Sequence, residues 1–191
     1  TIGLFEGVLW QAKDDNYERG FDIHYLNPII FHRPVEFSKH SPDNVLMGLN
    51  INYKLKNIDF YGQLLIDDLN INRYENTGNG FFQNKLAYQI GLKSQFSKNK
   101  HNFNILTEYN QAQPYTYAHK HPMQNYTHMN QALAHPLGAN FSENILIISF
   151  RKERIFAQFK YLDIIYESDY LNDSISFGSD IYADYNSRPF D

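Results

Sequence analysis

Regular alternation of apolar and polar residues over segments of about ten residues constrains the fold of this chain more than any other feature. From Leu49 to Leu55, apolar residues at every second position alternate with Asn50, Asn52 and Lys54, and the alternation resumes after a short polar stretch. Successive side chains of a β-strand point to opposite faces of the sheet, so this period of two residues indicates strands with one apolar face. The sequence therefore predicts an all-β, antiparallel fold.

Three hairpins of the same design are predicted. Each consists of two alternating segments separated by a short polar turn, as in tightly connected antiparallel strands. They extend from Leu49 to Ile66 around Lys56-Asn57, from Leu86 to Tyr109 around Lys98-Asn99-Lys100, and from Ile145 to Tyr166 around Arg151-Lys152-Glu153-Arg154.

The length of the predicted strands favours a membrane barrel over a soluble sandwich. At about 3.3 Å per residue, strands of about 9 to 12 residues span roughly 30 to 36 Å, and a tilt near 40° brings this to the thickness of a bilayer core. We expect the apolar residues to face lipid and the Asn, Gln, Lys and Glu residues to face the lumen. The prediction is one segment over residues 1–191, part of an antiparallel outer-membrane β-barrel with roughly eight to ten strands in this chain. A soluble periplasmic β-sandwich is the alternative.

Composition excludes several other classes of protein. The formal net charge is −4 and the pI about 6.0, so the basic surface of a nucleic-acid binder is not expected. The chain contains no cysteine, which excludes disulfides and thiolate metal sites. The longest apolar runs, such as Ile145–Ile148, are far shorter than the roughly 20 residues of a transmembrane helix. The first residues carry no features of a signal peptide, so we expect a processed or truncated chain.

Two stretches interrupt the alternation. Between Phe21 and Asn44, Pro28, Pro34 and Pro42 predict bent strand pieces and loop. The other stretch is a long polar loop or plug at about 111–143, rich in His, Tyr, Asn and Gln. A loop of this length in a compact domain is usually functional.

Six strings, in order along most of the chain, resemble Bacteroidetes outer-membrane proteins of the capsule-assembly Wzi-like family, which includes the gliding-motility-associated RemB proteins. The strings are YLNPIIFHRPVEFS (residues 25–38), SPDNVLMGLN (41–50), FYGQLLIDD (60–68), PYTYAH (114–119), NYTHMNQALAHPLGANF (125–141) and YNSRPFD (185–191). The resemblance implies that this chain is a central portion of a longer protein.

The resemblance implies a non-enzymatic barrel of the bacterial outer membrane. Its expected function is the attachment of capsular or extracellular polysaccharide, or the assembly of surface structures, including those associated with gliding. Outer-membrane lipid and lipopolysaccharide are the expected partners, with capsular polysaccharide or other outer-membrane proteins as further partners. The alternative function is that of a structural subunit of a multiprotein secretion or motility machine that binds protein rather than glycan.

Sugar recognition requires aromatic rings that stack on pyranose faces and amide groups that pair with hydroxyls. The predicted plug supplies both kinds of side chain. The candidate glycan-binding residues are Tyr115, Tyr117, His119, Tyr126, His128, Asn130, Gln131 and His135.

No metal, other cofactor or catalytic activity is expected. His119 and His121 would share one face of an extended segment, but no carboxylate lies between Gln111 and Asn140, so polar packing is the preferred interpretation. Ser142 near His135 is the only local nucleophile candidate, and no Gly-x-Ser-x-Gly motif supports it. The adjacent Asp67 and Asp68 would point to opposite faces of a strand, which prevents a proton-sharing pair.

Overall fold

The computed structural model describes residues 1–14, 17–18, 20–21, 23–27, 29, 43–68, 85–167 and 177–184. Within them the secondary structure is almost entirely β, with two short 3-10 helices at Ile23–Leu26 and Pro122–Gln124. The predicted all-β class is therefore confirmed. The strands are β1 (Ile2–Leu9), β2 (Lys13–Asp14), β3 (Tyr17–Glu18), β4 (Asn44–Leu55), β5 (Ile58–Asp68), β6 (Lys85–Lys98), β7 (His101–Ala112), β8 (Thr127–His128), β9 (Gln131–Ala132), β10 (Phe141–Lys152) and β11 (Ile155–Tyr166).

Seven of these strands form one antiparallel sheet in the order β1-β4-β5-β6-β7-β10-β11. The pairs β2–β3 and β8–β9 form two small sheets of their own. The three predicted hairpins are confirmed as β4–β5, β6–β7 and β10–β11. The two strands of each hairpin lie next to each other in the sheet, because a short turn favours antiparallel pairing of the strands that it connects.

The three tight turns all lie at one end of the sheet, at residues 56–57, 99–100 and 153–154. The third turn is shorter than predicted, since Arg151 and Lys152 continue β10 and pair with Phe156 and Ile155. Tight hairpin turns require positive φ, which matches the twist of the flanking strands. Positive φ is found at Lys56, Asn99, Lys100 and Glu153.

The sheet is open within the described residues. β1 and β11 are its two ends, and the order contains no pairing between them. We expected roughly eight to ten barrel strands in this chain. In the described residues the main sheet has seven strands, and the two small sheets bring the number of strands to eleven. The structure therefore establishes an antiparallel sheet of long strands, and closure into a barrel is taken up as a proposal below.

The two faces of the sheet differ in chemistry. Cross-strand partners share a face, so the register assigns each strand residue to one side. We call one side the apolar face; its exposed large residues are Ile2, Leu4, Ile51, Tyr53, Leu55, Phe60, Leu64, Ile90, Phe96, Ile148, Ile155, Phe159, Tyr161 and Ile165. We call the other side the polar face; it carries Asn50, Gln63, Gln89, Gln95, Asn104, Glu108, Asn110, Glu143 and Gln158, among others.

The buried core lies on the polar face, at the end of the strands away from the tight turns. There the connection between β7 and β10, residues 113–140, folds back over the sheet; we call it the capping segment. The predicted bounds of 111–143 are too wide, because residues 111–112 end β7 and residues 141–143 begin β10. The core cluster consists of Leu46, Leu65, Ala87, Ala112, Tyr117, Ala139, Phe141 and Ile181.

Some predicted features lie outside the described residues. They include Pro28, Pro34 and Pro42, most of the string at 25–38 and the whole string at 185–191. In the part of residues 21–44 that the structure describes, a 3-10 helix and the start of β4 are seen. Within the described part of the chain, no helix has the length and apolar character needed to cross a membrane.

Candidate ligand-binding site

The structure separates the eight predicted glycan-binding residues into three groups. Tyr115 and Tyr117 are buried, with exposed fractions of 8% and 4%. His119, Tyr126 and His135 are half-buried. The remaining three, His128, Asn130 and Gln131, are exposed on the hairpin formed by β8 and β9. The eight residues therefore do not form one binding surface.

The exposed group occupies the tip of a two-residue hairpin. Met129 and Asn130 adopt φ values of 48° and 61°, as the mirror-image turns of tight hairpins require. His128 pairs with Gln131 across the hairpin. The hydroxyl of Tyr182 donates a hydrogen bond to the Asn130 carbonyl at 3.2 Å, which holds the tip against residues 177–184. The hairpin is a fixed platform that presents polar side chains to the surroundings.

The buried tyrosines have a structural role. Tyr115 and Tyr117 adopt φ values of 63° and 77°, a region in which bulky side chains are rare. The Tyr115 N–H donates to the Gly178 carbonyl at 2.9 Å, and the Tyr117 N–H donates to the Asp67 carboxylate at 2.8 Å. Gly178 has φ +86°, and a Cβ there would lie 2.5 Å from the Tyr115 nitrogen. These contacts hold the two left-handed residues in place, and the buried Tyr115 ring is not available as a sugar platform.

A buried ion pair anchors the same part of the capping segment to the sheet. Lys85 of β6 and Asp67 of β5 have side-chain exposures of 3% and 1%, and their charged atoms are 3.8 Å apart. Lys85 Nζ also donates to the Ala118 carbonyl at 2.7 Å. Charged groups this deeply buried require both a counter-charge and hydrogen bonds. Asp67 thus supports the capping segment, whereas the side chain of Asp68 lies outside the described residues.

Asn125 connects the capping segment to residues 177–184. Its side chain is fully buried, and Nδ2 donates to the carbonyls of Ile181 and Ala183, each at 2.9 Å. Its Oδ1 accepts the His119 N–H at 2.6 Å. One side chain therefore satisfies three backbone groups, which fixes the capping segment from both sides.

A cavity of about 290 Å³ lies between the capping segment and the polar face. The sheet contributes Gln63, Gln89 and Asn110, and the capping segment contributes His135 and Tyr117. This volume is at the lower end of the range for small-molecule pockets. The lining combines amide groups with aromatic rings, which is the chemistry that the sequence predicted for sugar recognition. Tyr117 and His135 were among the predicted residues, whereas Gln63, Gln89 and Asn110 were not.

Two carboxylates determine how the amides of the cavity are oriented. Asn110 Nδ2 lies 2.8 Å from Glu108 and 3.0 Å from Glu143, and ionised carboxylates only accept hydrogen bonds. Asn110 Oδ1 therefore accepts from Gln89 Nε2, at 3.0 Å. The orientation of Gln89 is fixed in turn, so its carbonyl oxygen remains an acceptor at the cavity wall. Glu108 also accepts a hydrogen bond from Tyr61.

His135 is oriented by hydrogen bonds at both of its ring nitrogens. The Leu137 N–H donates to Nδ1 at 3.2 Å, so that nitrogen carries no proton. Nε2 lies 3.1 Å from Glu143 and donates to it. The ring stacks on Phe141 at a centroid distance of 4.4 Å. Because both ring nitrogens are hydrogen-bonded, the His135 ring lines the cavity in a fixed orientation.

The neighbouring histidines do not form a metal centre. His119 and His121 have ring centroids 6.0 Å apart, and the His121 N–H donates to His119 Nδ1 at 3.3 Å. Across the residues that the structure describes, no group of three or more His, Asp or Glu side chains is arranged to hold a metal ion. Ser142 follows the alternation of β10 onto the apolar face, whereas His135 contacts Phe141 and Glu143 on the polar face.

Burial lowers the pKa of His119 to about 4, with Lys85, Lys120 and His121 adding to the effect and Asp43 opposing it. The unfolded chain binds this proton near the usual value of about 6.5, so between these values the unfolded state holds more protons. The contribution of His119 to folding stability is therefore complete above about pH 6.5 and is lost as the pH falls toward 4.

We predict that His119→Gln reduces this loss of stability in acid. Urea unfolding in detergent at about pH 7 and about pH 4.5 should show a larger drop for the wild type than for the variant, because glutamine does not titrate in this range. Histidine NMR resonances, assigned by comparison with the variant, measure the pKa directly. Titration of His119 near 6.5 would contradict the prediction.

Sequence reasoning missed the cavity residues Gln63, Gln89 and Asn110, and also Glu143, which contacts Asn110 and His135 beside the cavity. The alternation of the strands could have indicated that these side chains share one face of the sheet, since each occupies a polar-face position of its strand. What brings them together is the cross-strand register: Gln63 pairs with Gln89, Gln89 with Asn110, and Asn110 with Glu143.

Comparison of the chain with protein-family models, curated proteins and solved structures found no match.

Proposed function

We propose that this chain forms part of the wall of a bacterial outer-membrane β-barrel that attaches capsular or extracellular polysaccharide to the cell surface. The observation that carries the proposal is the inverted distribution of side chains on the sheet. Large apolar side chains are exposed on the apolar face from β1 to β11. The polar face carries amide and carboxylate side chains, and the protein's own capping segment covers it at the end away from the tight turns, while Phe156, Leu162, Ile164 and Tyr166 of β11 are exposed on it.

A soluble sheet with this pattern would bury its apolar face. Here Ile90 is 63% exposed and Ile165 70% exposed, and the exposed apolar residues extend from β1 to β11. Monomeric soluble proteins rarely expose a continuous apolar patch larger than a few hundred Å². Hydrocarbon of a lipid bilayer is the environment in which such a face is stable, provided that every backbone group of the sheet is hydrogen-bonded.

Contacts between aromatic rings on the apolar face form two bands, and Phe60 and Tyr161 lie between the bands, in register with Leu92. Near the tight turns Phe96 stacks on Phe103 with centroids 5.6 Å apart, and Phe103 contacts Phe150 at 5.0 Å. Toward the other end Tyr88 contacts Tyr109 at 5.8 Å. Along β6 the bands are eight residues apart, or roughly 26 Å along the strand at 3.3 Å per residue. A tilt near 40° reduces this to about 20 Å of height, which fits within the apolar band of about 25 Å in outer-membrane barrels.

The connections support one orientation of the barrel. In outer-membrane barrels the short turns face the periplasm and the longer loops face outward. The turns at 56–57, 99–100 and 153–154 are then periplasmic, and the capping segment lies at the outer opening. The open edges of β1 and β11 require further strands in a bilayer, as expected for a portion of a larger barrel.

Attachment of polysaccharide is supported by the chemistry at the outer end and by the resemblance to Wzi-like proteins. The hairpin with His128, Asn130 and Gln131 is exposed and rigidly held. Its imidazole and amide groups donate and accept hydrogen bonds, as sugar hydroxyls require. Lipopolysaccharide and outer-membrane lipid are the proposed surroundings of the wall.

Retention of surface polysaccharide by cells of the native host tests this function. A full-length protein with His128→Ala, Asn130→Ala and Gln131→Ala should stay in the outer-membrane fraction but hold polysaccharide at least about tenfold more weakly. Each lost hydrogen bond contributes about 0.5–1.5 kcal/mol. The control is Lys100→Ala with Glu153→Ala at the tight-turn end. Unchanged retention by the triple variant, or wild-type protein in the soluble fraction, would contradict the proposal.

A second candidate function is that of a subunit in an outer-membrane machine that binds protein. It is favoured by exposed apolar side chains on the capping segment, where Met123 is 76%, Met129 84% and Leu133 48% exposed. Methionine-rich surfaces adapt to protein partners. A stoichiometric partner purified with the detergent-solubilised protein, and lost with Met123→Ser and Met129→Ser, would support this function over polysaccharide attachment.

A further inference from the structure

We infer that the cavity between the capping segment and the polar face binds one neutral, hydroxyl-rich sugar residue. The inference deepens the proposed function and rests on it in one respect, namely that this sugar belongs to the polysaccharide held at the outer opening. It places one sugar residue of the chain at Gln63, Gln89 and Asn110, in addition to the contacts proposed at the exposed hairpin.

The size of the cavity suits a single ring. Its volume of about 290 Å³ is at the small end of the range for ligand pockets, so a chain of several sugars does not fit. The walls are rigid, because the sheet forms one side and the capping segment is anchored by Lys85 and Asn125. A preformed cavity loses little conformational entropy when a weak ligand binds.

The fixed amide orientation favours a ligand that donates hydrogen bonds. Asn110 gives its Nδ2 hydrogens to the two carboxylates and receives the Gln89 amide, so Gln89 offers a carbonyl oxygen. Gln63 likewise donates its Nε2 to Asn50 at 2.7 Å, which leaves its own carbonyl oxygen as an acceptor. Adjacent sugar hydroxyls can donate to such acceptors.

The charges around the cavity disfavour an anionic ligand. Glu108 and Glu143 both accept hydrogen bonds from Asn110, and Glu143 also lies 3.1 Å from His135 Nε2. Among the described lining residues there is no lysine or arginine. An acidic sugar or a phosphate would therefore face carboxylates without a compensating cation.

Aromatic surface completes the recognition of a sugar ring and argues against a simple amine. The stacked pair of His135 and Phe141 forms one wall, and Tyr117 lines another part. The apolar faces of pyranose rings pack against such surfaces. A small amine would use the carboxylates but would leave the ring surfaces without a partner.

Binding of single sugars to the full-length protein in detergent tests the inference. The probes are the methyl glycosides of glucose, galactose and mannose, with glucuronic acid as the anionic probe and butylamine as the cationic probe. Saturation-transfer NMR detects weak binding. At least one neutral glycoside should bind, and glucuronic acid should bind more weakly than its neutral counterpart.

Three variants locate the binding. Gln89→Met removes the acceptor at nearly constant shape and should weaken binding by about 3- to 10-fold, the effect of one hydrogen bond. Ala134→Leu fills the cavity from the capping segment without changing a polar group, and should abolish binding. Gln95→Met changes the same strand and face but lies outside the cavity, and should bind like the wild type.

The inference is overturned if no neutral glycoside binds, if the three variants bind equally, or if glucuronic acid or butylamine binds best. Membrane fractionation and polysaccharide retention of the same proteins separate it from the proposed function. Retention in the outer membrane without sugar binding in the cavity contradicts the inference alone. Sugar binding by a protein that is not in the outer membrane supports the cavity and contradicts the membrane function.

Discussion

Replacing Lys85 with methionine is expected to lower the free energy of unfolding by about 3–5 kcal/mol, the usual effect of removing one partner of a buried ion pair. The Asp67 carboxylate, 1% exposed, would lose its counter-charge, and the Ala118 carbonyl would lose its donor. Because both contacts hold the capping segment, its cleavage by protease should also accelerate. Urea unfolding in detergent and limited proteolysis measure the two effects.

Lys100→Met is the matched control. Lys100 lies 3.6 Å from Glu153 in a pair with side-chain exposures of 80% and 63%, and exposed pairs contribute at most about 1 kcal/mol. The double variant Lys85→Met with Asp67→Asn should recover part of the loss, since asparagine keeps an acceptor for the Tyr117 N–H without a buried charge. Equal stability of the Lys85 and Lys100 variants would show that the buried pair does not anchor the segment.

Replacing Leu92 with arginine is expected to cost about 2–4 kcal/mol in a bilayer, the cost of a cation near the midplane on the lipid side of a barrel. Leu92 lies on the apolar face of β6, midway between Tyr88 and Phe96, and it pairs with Phe60 and Thr107. The yield of folded protein in outer membranes and unfolding from lipid vesicles should both show the loss.

Gln95→Arg supplies the control for Leu92→Arg, because it introduces the same charge on the same strand but on the polar face. It should leave folding almost unchanged, as substitutions on the lumen side of a barrel do. If both arginines were tolerated equally, the apolar face would be facing water or a partner that accepts charge, and lipid contact would be rejected.

The local parts of the fold could be predicted from the sequence. Alternation and turn residues located all three hairpins, because both signals lie within about 25 consecutive residues. The row formed by Leu49, Ile51 and Tyr53 was expected on an unburied apolar face, and Ile51 and Tyr53 are 47% and 60% exposed. That prediction of exposure is confirmed, whereas contact with lipid remains a proposal.

The candidate site could not be predicted in the same way, because it depends on contacts between distant residues. Burial of Tyr115 follows from its contact with Gly178, and the position of Tyr117 follows from Asp67. Composition alone made these tyrosines look like sugar platforms. The cavity depends on the register of four strands, and a shift of one residue would move Gln89 to the opposite face.

Site-specific labelling tests the opposite environments of the two faces most directly. The chain has no cysteine, so each introduced cysteine is unique within it. Ile51→Cys, Leu92→Cys and Ile148→Cys label the apolar face, and Asn52→Cys, Gln95→Cys and Asn104→Cys label the polar face. In full-length protein reconstituted in vesicles, brominated lipids should quench a fluorophore on the apolar face strongly and on the polar face weakly. Equal quenching of the two sets, or stronger quenching of the polar set, would contradict the barrel wall proposed for this sheet.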